Sequence, residues 1–192
     1  MKIATFNANS LRSRLPVIKP WLQTHAPDVL AIQETKVQDA HFPLETLEET
    51  GYHMIYRGQK SYNGVAILSQ APPADVVSHL PGDDSDQARF LKARYGDVVV
   101  VNTYIPQGMD INSDKFRYKL NWFQWLREYL HKHHRPDERL IWCGDLNVAH
   151  RDIDVYNPDS LWGHVCFCRE VQEALDSVMA WGLTDVFRQC CS

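Results

Sequence analysis

At 192 residues, 44% hydrophobic and 23% charged, the chain has the bulk of one soluble domain with a sizeable buried core. No apolar run approaches the length of a membrane span and the opening residues carry no leader pattern, so a cytoplasmic protein with no membrane partner is expected. The formal charge of −4 argues against a general nucleic-acid coat, which draws affinity from a basic surface, but it leaves room for a local basic patch.

Strands and helices alternate along the chain. A strand at 3–6 opens it, followed by a helix at 16–25 with Val17, Ile18, Trp21 and Leu22 at one-face spacing, ended by Ala26-Pro27-Asp28. A strand at 29–33 and a short helix at 43–50, closed by Gly51, come next. Strands follow at 53–56, 65–68, 90–95 and 98–104, several of them nearly continuous apolar runs that suit coverage on both faces. Asp83-Asp84-Ser85-Asp86 reads as a solvated turn, too short for a calcium loop.

Ser113-Asp114 caps the longest helix, to about residue 133, with Phe116, Leu120, Phe123, Leu126 and Leu130 as its core stripe. After a strand at 140–143, a helix at 170–181 turns Val171, Ala174, Leu175 and Val178 inward and stops at Gly182, and Val186-Phe187 read as strand. The pattern predicts a single α/β domain over 1–192 with mixed sheet.

The five cysteines (143, 166, 168, 190 and 191) are an odd set with one inside a predicted core strand, a poor disulfide framework. His164, Cys166 and Cys168 lie close together, but Cys-Phe-Cys is too tight for a zinc knuckle and no second ligand pair follows. Cys190-Cys191 reads as tail chemistry.

Polar residues collect where strands end: Asn7 and Asn9; Gln33-Glu34-Thr35-Lys36; Tyr104-Ile105-Pro106-Gln107-Gly108; and Gly144-Asp145-Leu146-Asn147. If these strands are sheet neighbours, their ends meet along the edge where open α/β sheets place ligands. Asn7, Glu34, Asp145 and Asn147 are hard oxygen donors that suit magnesium or manganese rather than zinc. Each also has a plainer reading: strand-end Asn and Asp as turn formers, Glu34 as a surface partner of Lys36, Tyr104 as a half-buried strand tyrosine.

Phe6-Asn7-Ala8-Asn9-Ser10-Leu11-Arg12 with Gln33-Glu34-Thr35-Lys36 resembles the opening of the exonuclease III family of abasic-site endonucleases. Gly58-Gln59-Lys60-Ser61-Tyr62-Asn63-Gly64, Asn102-Thr103-Tyr104-Ile105-Pro106-Gln107-Gly108, Gly144-Asp145-Leu146-Asn147 and Trp181-Gly182-Leu183-Thr184-Asp185 continue the likeness in order, to about Arg188. The resemblance implies two mixed β-sheets packed face to face with helices outside, a four-layer α/β sandwich. It further implies hydrolysis of DNA phosphodiesters dependent on Mg2+ (or Mn2+), at abasic sites and from 3′ ends of double-stranded DNA, with no obligate protein partner.

By position, Glu34 would bind the metal with Asn7 beside it, and Asp145 and Asn147 complete the metal set. Tyr104 would donate to the scissile phosphate, Asp145 activate water and Asn147 steady charge on the phosphoryl oxygens. Arg12, Lys36, Lys60, Asn63 and Gln107 would contact the DNA backbone.

The sequence departs from the family after the Trp-Gly segment, where an Asp-Tyr-Arg stretch, a strand with another Asp and a Ser-Asp-His motif are expected and absent. A C-terminally truncated domain is therefore expected, with an incomplete second sheet, an uncovered apolar face on the 170–181 helix and weak or no hydrolysis. Alternatives are a non-catalytic fragment that binds metal or DNA, and a superfamily phosphodiesterase acting on phosphoinositides, RNA or small phosphoesters.

Overall fold

Residues 1–190 are described by the computed structural model, so Cys191 of the Cys190-Cys191 pair lies outside the described residues. They fall into two compact units, each built from two stretches of chain. The first holds Met1–Tyr104 and Arg139–Leu146, the second Ile105–Glu138 and Asn147 onward.

The first unit contains both sheets. In one, β1 (Ile3–Asn7), β2 (Val29–Gln33), β3 (His53–Arg57) and β4 (Val65–Ser69) lie in the order β1-β2-β4-β3. In the other, β5 (Ala74–Val77), β6 (Phe90–Tyr95), β7 (Val98–Tyr104) and β8 (Arg139–Asp145) lie in sequence order. Both are mixed, with β1–β2 and β7–β8 parallel and the remaining pairs antiparallel. Two mixed sheets with helices make the α/β architecture that the resemblance implies. β5 is an addition to the expected strands: it is short, and three of its four residues are exposed, so it shows no apolar run.

β2 and β4 are buried along their whole length because they are covered on both sides. One side packs on α1 (Leu11–His25) and on α2 (Leu44–Glu48), through Leu11, Ile18, Leu22, Leu47, Ile32 and Leu68. The other side meets the second sheet through Val29, Val65, Ile67, Leu91, Ala93 and Val100. The helix expected from residue 16 begins at Leu11, with Pro16 and Pro20 inside it on its exposed side. Val17, expected inward, is 59% exposed. The acidic turn is not fully solvated either: Asp83 is buried and accepts from the Ser85 hydroxyl at 2.5 Å.

A pair of buried amides ties the two sheets together. Gln33 of β2 donates to Asn102 of β7 at 2.7 Å and to Thr5 of β1 at 3.0 Å. Asn102 in turn donates to the carbonyls of Ile32 and Ala66, each at 3.0 Å. A buried carboxamide left without partners is costly, so these bonds fix one sheet's register against the other. Asn102→Ala removes three buried hydrogen bonds, one from Gln33 and two to carbonyls; a loss of about 2–4 kcal/mol is expected in urea unfolding, at about 0.5–1.5 kcal/mol net per bond. An unchanged midpoint would deny the pair this role.

In the second unit, α3 (Asp114–His133) is capped by Ser113, whose hydroxyl accepts from the Phe116 amide at 3.2 Å. α4 (Pro158–Leu161) is a single turn, and α5 (Arg169–Met179) packs against α3. Two expectations fail here. The apolar face of α5 is not bare: Val171, Leu175 and Val178 are 0%, 6% and 0% exposed, because α3 covers what a further strand was expected to cover. Val186 and Phe187 are not strand; they begin α6 (Val186–Cys190), with both side chains largely exposed. Native-state hydrogen exchange should accordingly find the amides of Val171, Leu175 and Val178 strongly protected, whereas a face without a core would exchange them within minutes.

Candidate active site

In the first unit, the carboxyl ends of β1, β2, β7 and β8 converge. Register places Asn7 beside Gln33 and Tyr104 beside Asp145. β8 approaches β7 closely at this end through Gly144, at φ 137°, where a Cβ would lie 2.0 Å from the Thr103 carbonyl oxygen. Only glycine allows that approach, and it sets Asp145 against Tyr104.

Glu34 stands just past β2 in a left-handed conformation, φ 52°, followed by Lys36 at φ 50°. Such backbone is unfavourable for a side-chain-bearing residue and persists because neighbours overdetermine it. Here they are loops laced on both flanks. Ser10 and Leu11 amides donate to the Glu34 and Thr35 carbonyls at 2.8 and 3.0 Å. Thr35 and Lys36 amides donate to the Gly64 and Asn63 carbonyls at 3.1 and 2.9 Å.

Asn7 joins the two acids. Its Nδ2 donates to Glu34 Oε1 at 2.8 Å and to Asp145 Oδ2 at 2.7 Å, while its Oδ1 accepts from the Asn9 amide at 2.9 Å. Two carboxylates that would repel are thus drawn onto one nitrogen, and Asn7 presents them rather than offering its own oxygen. Lys36 Nζ lies 2.8 Å from Glu34 Oε2 and also bonds Asn9 Oδ1.

Burial opposes the charge of Glu34, but hydrogen bonds from Asn7, Lys36 and Tyr104, with the Lys36 charge, outweigh it and hold the carboxyl below its ordinary value of 4.5. The Tyr104 phenol moves the other way, up to about 12, through burial and then the negative charge and hydrogen bond of Glu34. Arg89, whose guanidinium carbon sits 4.8 Å from the ring centroid, only partly offsets this. At neutral pH Tyr104 is therefore a proton-bearing donor.

Of the other residues singled out in the sequence, Arg12 is exposed and donates to the His41 carbonyl at 2.7 Å, and Lys60 is exposed. Asn63 is buried, donating to the side chains of Gln59 and Gln87 at 3.0 and 3.2 Å. Asn147 and Gln107 belong to the second unit. Asn147, at φ 49°, donates through Nδ2 to the Ile105 carbonyl at 2.9 Å, and Gln107 is exposed with its Oε1 accepting from the Met109 amide at 3.1 Å. Sequence reasoning gave no role to Arg89 or Asn102. Asn102 had a signal, a carboxamide inside an otherwise apolar strand, which burial makes meaningful only with a partner.

Residues 4–188 match the model of the endonuclease/exonuclease/phosphatase family. The chain belongs to that family. Exodeoxyribonuclease III of Haemophilus influenzae is 33% identical over 201 residues, covering 98% of this chain and 75% of the relative. An AP endonuclease from Archaeoglobus fulgidus superposes with a TM-score of 0.95 at 44% identity, covering 98% of this chain and 74% of that one. A variant of the Neisseria 3′ phosphatase NExo, bound to a product DNA hairpin, superposes with a TM-score of 0.93 at 37% identity and the same coverage. Exonuclease III-type nucleases of this family generally depend on a divalent metal. No helix among the described residues is long and apolar enough to cross a membrane.

The bridging role of Asn7 can be read without substrate. In metal-free protein, Asn7→Ala should raise the Glu34 pKa followed by NMR. Stability linked to a depressed carboxyl is full above its ordinary value and drains as pH falls through the lower folded-state value. The variant should show a smaller drain. An unmoved Glu34 titration would mean that Asn7 does not hold the carboxylate.

Proposed function

We propose that the chain is a divalent-metal-dependent DNA phosphodiesterase of the exonuclease III type, acting at abasic sites and 3′ ends of double-stranded DNA. The observation that carries the reading is the meeting of Glu34 and Asp145 on Asn7, with protonated Tyr104 beside them. The bound hairpin of the Neisseria neighbour supports DNA as substrate.

The donor chemistry fits a hard cation. Among the described residues, no group of three or more His, Cys, Asp or Glu is gathered for a metal. Two carboxylates with water filling the other positions suit magnesium, with manganese as substitute, since magnesium keeps several waters. Glu34 would hold the ion, which when bound polarises a phosphoryl oxygen and steadies the leaving oxyanion. Asp145 takes the proton of the attacking water, Tyr104 donates its hydroxyl proton in a hydrogen bond to the phosphate, and Asn147 steadies the growing charge. Lys36 shares its ammonium between Glu34 and the DNA backbone, where Arg12, Lys60 and Gln107 are further contacts, while Asn63, buried against Gln59 and Gln87, holds the loop beside them.

The test is cleavage of duplexes carrying an abasic analogue, a recessed 3′ end or a 3′-phosphate, in Mg2+, Mn2+ or EDTA. Slow or fast, cleavage should need the metal, and Glu34→Gln or Asp145→Asn should each lower it by roughly 10²–10³-fold, the scale of losing one main electrostatic contact. Wild-type protein no more active than Glu34→Gln on every substrate would sink the proposal.

A further inference from the structure

Lys119 lies inside the second unit with 0% exposure, in the second turn of α3. Its Nζ reaches three backbone carbonyls from three segments: Gln107 at 3.0 Å, Asn147 at 2.7 Å and Val165 at 2.7 Å. The Cys166 sulfur is 3.7 Å from the same nitrogen and 3.9 Å from Asn147 Oδ1. Gly108 lets the first segment lie on the lysine stem, since a Cβ there would stand 3.3 Å from Lys119 Cδ and 3.2 Å from Phe116. Burying an ammonium is expensive unless it is fully bonded, and charge-assisted bonds to carbonyls are the strong kind.

We propose that Lys119 is a positioning residue for Asn147: its ammonium clamps the Gln107, Asn147 and Val165 carbonyls together and so fixes the direction of the Asn147 side chain. The clamp holds the backbone of Asn147 from one side while the Ile105 carbonyl holds its Nδ2 from the other. With both ends tied, the amide has one orientation although its φ of 49° is unfavourable. This rests on the reading of Asn147 as the group that steadies phosphoryl charge. The contacts that fix Asn147 do not.

The proposal separates from that reading by measurement. In Lys119→Met, with far-UV circular dichroism unchanged, the Asn147 side-chain amide should lose its distinct NMR shift and its slow hydrogen exchange. Lys119→Arg, which keeps charge and donors, should retain both at least in part. An Asn147 amide unchanged in Lys119→Met overturns the clamp, whatever the enzyme does. If Lys119→Met does not fold, the arginine variant decides: an Asn147 amide lost despite retained charge and intact fold overturns it as well.

On DNA cleavage, Lys119→Met should lose kcat with little change in KM, by roughly 10²-fold. The double variant Lys119→Met/Asn147→Ala should be no worse than Asn147→Ala alone, because residues acting through one another are not additive. Fully multiplied losses would show that Lys119 acts elsewhere. A wild-type protein that cleaves nothing would fail the functional reading, while the clamp would still stand or fall by the NMR of Asn147.

Discussion

The rest of the first unit depends on the amide pair Gln33 and Asn102. Apolar side chains between two sheets favour contact but are tolerant of sliding, because dispersion and burial are not directional. A carboxamide in the same space is not tolerant. Asn102 reaches from β7 to the Ile32 and Ala66 carbonyls, and a one-residue slip of either sheet would turn it away from both. Gln33 is the last residue of β2, so the pair sits one step from Glu34, and β7 ends two residues after Asn102 at Tyr104. The bond that sets register therefore sets the separation of the acid and the phenol.

With register fixed, the carboxyl end of these strands concentrates strain and like charge. Glu34 and Lys36 occupy left-handed backbone, and two carboxylates share one amide nitrogen. Neither arrangement favours the fold by itself. The hydrogen-bonded loops on either side hold the first and the Asn7 amide holds the second, which gathers carboxylate oxygens of the kind a divalent cation neutralises. Lys36 supplies part of that relief as a side chain.

Much of this was legible in the sequence, and the limits are physical. β6 and β7 lie at the residues expected, since continuous β-branched and aromatic runs bounded by turns have few other readings. The polar strand ends were visible as a set, but their meeting depends on strand order. β4 inserts between β2 and β3, and local sequence does not encode that. β5 escaped because an exposed edge strand has no apolar signature. Prolines 16 and 20 obscured the start of α1, because a proline inside a helix forgoes a backbone bond, a cost offset here by the burial of Leu11, Ile18 and Leu22. Lys119 was missed by one position. The buried line runs Phe116, Lys119, Phe123, Leu126 and Leu130, at steps of three and four, whereas residue type alone assigned Leu120 in its place.

The interleaved chain course has a consequence for how the protein is made. Residues 1–104 supply seven of the eight described strands, yet β8 comes only after the whole of α3 has been synthesised. A ribosome emits about 5–20 residues per second, so Glu34 and Tyr104 exist for seconds before Asp145 leaves the tunnel. During that interval β7 has one neighbour, β6, and an open parallel edge. The nascent chain must keep that edge from other strands until β8 arrives, and its two acids become neighbours only at that step.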